Sequence, residues 1–506
     1  MNDATLKTDI AAAHASHGVE AVAVEAVNAA HRRSMFKARE KIHPKRVSGK
    51  FRLIKWIVMA LTLTVYYGTP WIRWDRGPGA PDQAVLVDFT RERFYFFFIE
   101  LWPQEIYYIT GLLVLAAVAL FLFTAVAGRV WCGYACPQTV WTDLFLVVER
   151  AVEGNRNERI KLDRAPMSFG KFRKRAVKHV IWLLIALATG GAWVFYWHDA
   201  PTLAKQLLDF SAPVSAYVFV GILTAFTYLF GGHAREQVCT YMCPWPRIQA
   251  AMMDEETALV TYRRDRGEPR GPHKKGDPWQ GRGDCVDCRQ CVAACPMGID
   301  IRDGLQLECI QCALCIDACD DIMTKVGRAR GLIGYDTDLN IARRQKGEPS
   351  QFKFVRARTV AYAVILAVVG SVMLYALATR TDLDLNVIRD RNPTYVALSD
   401  GNIRNAYTVK LLNKARLGRS IVVSAEGLPG AVLSGVGLIE TEDGRVRVPV
   451  DGDNLRSVRV FVTLPRKAMT AESLPLTFRA APALEGGDVA EVESVFLGPK
   501  LLEPKP

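Results

Sequence analysis

Five apolar runs, each close to the length of a bilayer crossing, divide this chain. They extend from Ile54 to Trp71, Ile106 to Ala127, Val180 to Trp197, Pro213 to Phe230 and Thr359 to Ala378. A helix needs about 20 apolar residues to cross about 30 Å of hydrocarbon. Trp and Tyr gather at the run ends, as they do at membrane interfaces. The pattern predicts a five-helix α transmembrane bundle. The buried helices of a large soluble protein fit these lengths less well.

Charge orients the bundle. A net charge of +12 would also suit a nucleic-acid partner, but the basic residues are not spread evenly. Lys41, Lys45, Arg46, Lys50, Arg52 and Lys55 lead into the first run, and eleven Lys and Arg fall in 128–178. Only four fall in 73–105, and Lys205 stands alone in 198–212. Basic loops stay in the cytoplasm. The N-terminus, 128–178 and 232–358 are therefore expected there, with everything after Arg380 exported. No nucleic-acid role is expected. The opening MNDATLKTDIAAAHASHG has neither a basic start nor an apolar run, so no secretory signal is expected. All twelve cysteines lie between 132 and 319, in segments assigned to the reducing side, which agrees with this topology.

The remaining segments divide by composition. Residues 1–40 are Ala-rich and read as a cytoplasmic arm, either helical or disordered. Residues 41–261 form a membrane domain with four of the helices. Residues 262–284 are rich in Pro, Gly and charge, a linker composition. A cysteine-rich domain spans 285–340, and the fifth helix occupies 355–380. The tail, 381–506, alternates with period two in RVRVPV (445–450) and VRVFV (458–462), with turn signals between runs. About seven such strands fit an immunoglobulin-like β-sandwich.

The cysteine-rich domain carries the strongest chemical signal. Cys285, Cys288, Cys291 and Cys295 are followed by proline, in the spacing C-x2-C-x2-C-x3-C-P. Cys309, Cys312, Cys315 and Cys319 repeat the spacing, with Asp320 in place of the proline. This is the run of bacterial two-cluster ferredoxins, where the fourth cysteine ligates the other cluster. One [4Fe–4S] cluster is therefore assigned to Cys285, Cys288, Cys291 and Cys319. The second is assigned to Cys295, Cys309, Cys312 and Cys315. Zinc, held by four ligands, commonly as two C-x2-C pairs, fits two matched four-cysteine runs poorly. Asp320 is expected to loosen its turn.

A second pattern lies in the membrane domain. WCGYACP (131–137) and VCTYMCP (238–244) each close a helix–loop–helix unit. The duplication suggests a pseudo-symmetric pair. On one helix, Cys132 and Cys136 would share a face, as would Cys239 and Cys243. Four such thiols can bind a soft ion such as Cu(I), cycle between dithiol and disulfide, or hold another cluster. Plain packing cysteines are the bland alternative. His198, His43 and His233 read more readily as interfacial or structural than as ligands. No Walker loop, Rossmann fingerprint or haem-attachment motif occurs, so electrons are expected from a protein or a membrane quinol.

Taken together, these stretches resemble the FixG/CcoG/RdxA family of bacterial inner-membrane iron–sulfur proteins. The resemblance is carried by KIHPKRVSGKFR (41–52), WCGYACPQTVW (131–141), CTYMCPWPRIQ (239–249), RGEPRG (266–271), CPMGIDIRDGLQLECIQCALCIDACDDIM (295–323) and GLIGYDT (331–337). It implies a cupric reductase that turns Cu(II) into Cu(I) during assembly of a cbb3-type cytochrome oxidase. It also implies copper transporters or chaperones and oxidase subunits as partners, and a periplasmic immunoglobulin-like domain. The paired C-x-x-x-C-P motifs resemble those of NapH/NosR-like quinol dehydrogenases, an alternative function. A non-enzymatic assembly scaffold is a third, and a homodimer is compatible with each.

Overall fold

The computed structural model describes residues 14–28, 40–77, 79–441, 443–483 and 487–499. Much of the arm expected at 1–40 therefore lies outside the described residues. Five helices are long and apolar enough to cross a membrane: Lys50–Trp71, Pro103–Ala127, Phe169–Val194, Val214–Ala234 and Ala357–Ala378. The third begins before the apolar run, so the basic stretch KFRKR lies within its first turns rather than in a loop. Ser168 starts it by accepting the Lys171 N–H at 3.2 Å.

The elements that place the site are, in chain order, α1 (Lys50–Gly68), α2 (Tyr107–Ala127), α3 (Val130–Tyr134), α4 (Pro137–Glu153), α5 (Arg156–Arg164), α6 (Phe169–Val194), α7 (Val214–Thr227), α8 (Trp245–Met252), α9 (Gln290–Ala294), α10 (Leu314–Lys325) and α11 (Ala357–Ala378). Between α1 and α2 the loop folds into a three-stranded antiparallel sheet, Val85–Asp88, Arg93–Phe96 and Ile99–Leu101. Its centre is the buried Arg76, which donates to the carbonyls of Phe97, Pro81, Gln83 and Ala84 at 2.6–2.8 Å.

The basic residues of 128–178 are only partly exposed. Several are internal, contrary to a purely topological role. Glu149 of α4 is fully buried and receives Arg159 at 2.8 Å and Arg235 at 3.1 Å. Lys178 of α6, also buried, reaches Glu153 at 2.8 Å. Asp143 receives both oxygens' worth of contact from Arg52 Nη1, at 2.9 Å each. Burial alone would push the Glu149 carboxyl up, but Arg235, Arg159 and Lys41 hold it well below the usual carboxylate range. A buried charge persists only when paired in this way.

The stretch 262–284 is ordered. Leu259–Tyr262 pairs with Ile333–Asp336, and Asp284 receives Arg266 at 2.5 Å and also Arg328. The composition of this segment reflects tight turns and ion pairs, not slack chain.

The chain divides into two compact units, Met1–Met373 and Leu374–Pro506. The second is a sandwich of two antiparallel sheets. One orders Val432–Gly435, Asn454–Leu464, Ile403–Asn413 and Leu383–Arg389, with Val396–Ala397 also on Ile403–Asn413. The other orders Ile439–Glu440, Val446–Val450, Arg419–Glu426, Ser473–Pro482 and Ala490–Leu497. Val446–Val450 buries alternate residues, as period-two patterning requires. Tyr407, Val448, Val460, Phe478 and Phe496 are fully buried between the sheets.

A dicluster domain seated on a four-thiol cavity

Each ferredoxin cysteine run curls through left-handed residues in register. Asp287 and Arg289 have φ of 54° and 55°; Gln311 and Ala313 have 55° and 59°. These pairs flank Cys288 and Cys312, the middle thiol of each loop. Non-glycine residues rarely adopt this conformation, so the coil is imposed by the fold. Arg289 and Ala313 then lead into α9 and α10.

Each fourth cysteine lies beside thiols of the other run. Burial pushes the Cys319 thiol well up, reinforced by Cys291, Cys288 and Cys285 beside it. Cys295 is raised to about 12 by burial and by neighbouring Cys312 and Cys309. Cys319 thus sits with the first run and Cys295 with the second, as the spacing predicts. Burial raises Cys288 and Cys309 to about 11. Such thiols stay protonated on their own. A cationic iron centre is the partner that makes them thiolates, so the donor sets fit two [4Fe–4S] clusters.

One feature differs from the sequence expectation. Cys295 and Pro296 follow α9, whereas α10 runs on through Cys319 and Asp320 to Lys325. Asp320 tightens rather than loosens its turn, because its carboxylate also accepts the Gly331 N–H at 2.8 Å. The Gly-Ile-Asp-Ile-Arg-Asp-Gly stretch (298–304) is a clamp. Buried Arg302 pairs with Asp300 at 2.6 Å and with Asp287 inside the first cysteine loop.

The C-x-x-x-C-P segments do not form single helical faces. Cys132 lies in α3, and Cys136 is the extended N-cap of α4 with Pro137 at its first turn. Cys239 lies in a π-helical turn, Val238–Met242, and Cys243 is extended before Pro244. Proline cannot continue a helix and disfavours helical backbone at the residue before it. The chain therefore turns between the two cysteines of each pair.

The four thiols nevertheless converge. Cys132, Cys136, Cys239 and Cys243 line one cavity of about 250 Å³, and Cys309 of the second cluster run lines the same space. Cys132 donates to the buried Gln249 at 3.2 Å. Burial raises Cys132 and Cys239 to about 12. Cys136 is also raised by burial, opposed by N–H groups at the start of α4, where a helix N-terminus favours thiolate. Cys243 is exposed and forms the open end. Among the described residues, no three His, Cys, Asp or Glu side chains are gathered tightly enough to hold a single metal ion. The cavity is a thiol-lined chamber rather than a closed ion cage.

Arg129 joins the chamber to the cluster domain. Its guanidinium donates to the carbonyls of Leu307, Cys309 (3.3 Å) and Pro246 (2.9 Å). A Cβ on Gly133 would lie 2.7 Å from the Ile310 carbonyl, so only glycine admits the second cysteine loop this close. Neither Arg129 nor Gln249 stood out in the sequence, since a lone buried polar residue leaves no periodic mark. Among the described residues, no histidine lines the chamber. His43 pairs with Asp163 at 3.1 Å, His233 stacks on His179 at 5.7 Å, and His198 is exposed.

Comparison with known proteins agrees with this architecture. Residues 234–338 match a 4Fe–4S dicluster domain and 109–153 a 4Fe–4S binding domain. Residues 373–499 match the IG-like fold at the C-terminus of FixG. The nitrogen fixation protein FixG of Rhizobium meliloti is 54% identical over 87% of this chain and 90% of its own length. The chain belongs to the FixG/RdxA family. Protein RdxB and protein RdxA of Cereibacter sphaeroides are 54% and 49% identical, each over 92% of this chain and 98% of their own lengths. As a FixG/RdxA member with five apolar helices and a dicluster domain, it is a membrane iron–sulfur redox protein.

Proposed function

We propose that the protein is a cupric reductase of the bacterial inner membrane. It converts Cu(II) to Cu(I) for assembly of a cbb3-type oxidase, with the cluster domain in the cytoplasm and the sandwich in the periplasm. One observation carries this reading: a single cavity holds four free thiols and touches a cluster ligand, Cys309. Copper is the substrate. Cu(II) prefers nitrogen and oxygen donors, whereas Cu(I) prefers thiolate, so a thiol-lined chamber favours the reduced ion. The clusters, when bound, supply one electron per copper ion.

The chain's own groups do the rest. Exposed Cys243 offers the entrance, and half-buried Cys132 and Cys239 receive the softer ion and release their protons as it binds. Arg129 holds the Cys309 loop against the wall. Copper transporters or chaperones and oxidase subunits are the partners this role requires. A quinol dehydrogenase is the second reading, favoured by the apolar side of the same cavity, where Leu120, Trp131 and Trp245 stand.

The test mixes Cu(II) anaerobically with dithionite-reduced, desalted protein and follows cluster absorbance and Cu(I) capture by a chelator. The variant Cys132→Ser/Cys136→Ser/Cys239→Ser/Cys243→Ser runs beside it. Fast reduction in the wild type and slow reduction in the variant, at equal iron content, is expected. Equal rates would sink the thiol-site reading and direct the test to quinones.

A further inference from the structure

The two cysteine loops of the dicluster domain are covered differently. Residues 14–28 lie over the first: the Val22 N–H donates to the Cys288 carbonyl at 3.1 Å, and Val19 belongs to the buried core. The second is covered by the turn between α2 and α3. There Gly128 has a φ of 63°, and a Cβ on it would lie 2.5 Å from Gln311 Oε1. This close approach lets the Arg129 backbone N–H donate to the same Gln311 oxygen at 3.1 Å. The arginine side chain is thereby fixed against the second loop, where Leu307 and Cys309 offer their carbonyls.

The burial of that side chain demands a counter-charge. Arg129 is 2% exposed. Arg52, Arg159, Arg235 and Arg302 are buried too, and each reaches a carboxylate: Asp143 for Arg52, Glu149 for Arg159 and Arg235, and Asp300 for Arg302. Among the described residues, no carboxylate forms an ion pair with Arg129. Its guanidinium bonds only carbonyl oxygens, and its Nε has no partner. Glu308, buried next to Cys309, acts on it from beyond ion-pair range, after the sulfurs of Cys309 and Cys132. Carbonyls satisfy the donors of a guanidinium but leave its charge in a low dielectric without a counter-ion. Cys309 is assigned to the second cluster. Four thiolates make a [4Fe–4S] centre an anion, and reduction makes it more negative. The buried arginine of the first loop differs, because Arg302 is already paired with Asp300 and Asp287.

We propose that Arg129 is the counter-charge of the second cluster. Its fixed positive charge stabilises the reduced form over the oxidised one and so raises that cluster's reduction potential. The one electron that reduces the cluster is then held on the loop that adjoins the thiol chamber. The inference rests on the cluster assignment alone and holds for either partner, copper or quinol.

The experiment is a redox titration of the full-length protein in detergent, with dithionite as reductant and EPR as readout. The second cluster is read alone in a Cys288→Ser/Cys319→Ser background, and the first alone in Cys295→Ser/Cys312→Ser. At equal iron content, Arg129→Gln should lower the reduction equilibrium of the second cluster by at least about tenfold, which is about 59 mV for one electron. Arg129→Lys keeps the charge and should recover most of the difference, whereas a role confined to holding the loop would not be rescued by charge. The first cluster should not move. If Arg129→Gln takes up no second cluster, Arg129→Gln/Glu308→Gln, which removes a carboxylate along with the guanidinium, is compared with Glu308→Gln, and the same fall is expected. An unchanged potential in the glutamine variant overturns the proposal. So does an equal fall in the lysine and glutamine variants, or an equal shift of both clusters.

Discussion

Asp317 caps a helix to which it does not belong. Its carboxylate, on α10 of the cluster domain, accepts the Arg52 N–H at 2.7 Å and the Phe51 N–H at 3.2 Å. Both are unsatisfied donors in the first turn of α1, where Gly49 has no side chain to offer. A Cβ at Gly49 would lie 2.4 Å from Asp317 Cγ. Asp317→Ala should lower stability by about 1 kcal/mol, the usual worth of an N-cap. Gly49→Ala should cost more, because it displaces the carboxylate as well. Thermal unfolding in detergent, with iron content measured alongside, reads both.

The crossed ligands give a prediction in double variants. Cys319→Ser should remove about half of the iron. Adding Cys288→Ser should remove little more, because both belong to one cluster. Adding Cys312→Ser instead should remove nearly all of it. If the crossing were absent, the two double variants would exchange results. Iron analysis and EPR of the reduced protein decide.

Glu149 is shared by three buried cations, Arg159, Arg235 and Lys178. Glu149→Gln takes the carboxylate from Arg159 and Arg235, while Lys178 keeps Glu153 at 2.8 Å. Breaking a buried pair from one side costs about 3–5 kcal/mol. The variant should therefore unfold at a clearly lower temperature, although Glu149 lines neither the chamber nor a cluster loop.

His43 is held down to about 4, first by burial and then by Lys41 and Arg159. A depressed histidine binds fewer protons folded than unfolded. Its contribution is therefore complete above the unfolded value of 6.5 and is lost as pH falls toward about 4. His43→Asn should weaken the pH dependence of the melting temperature across that window. Acid lability of clusters affects both proteins alike, so the difference between them is the measurement.

How much of this was legible depended on the kind of signal. The five helices, and the grouping of Cys319 with the first cysteine run and Cys295 with the second, were readable because each follows a fixed period or spacing. The convergence of the four thiols was suggested by the duplicated motif, but its geometry was not. Pro137 and Pro244 break the backbone between the paired cysteines, so the helical-face argument reached the right cluster by the wrong route. The charged layer was misread, because Lys178 and Arg159 look like ordinary loop cations until Glu149 and Glu153 are placed beside them. The docked arm was invisible, since residues 14–28 carry no periodic pattern and draw their order from the loop they cover.

Gly133 sets how closely the second cysteine loop approaches α3. With no side chain between α3 and the Ile310 backbone, the membrane part and the second cysteine loop share one wall. A tethered carrier domain must swing between donor and acceptor, and its turnover is limited by that search. If the protein is the cupric reductase proposed above, the hop between the cluster loop and the chamber has a fixed length, so the rate should follow driving force and copper supply, with little sensitivity to solvent viscosity.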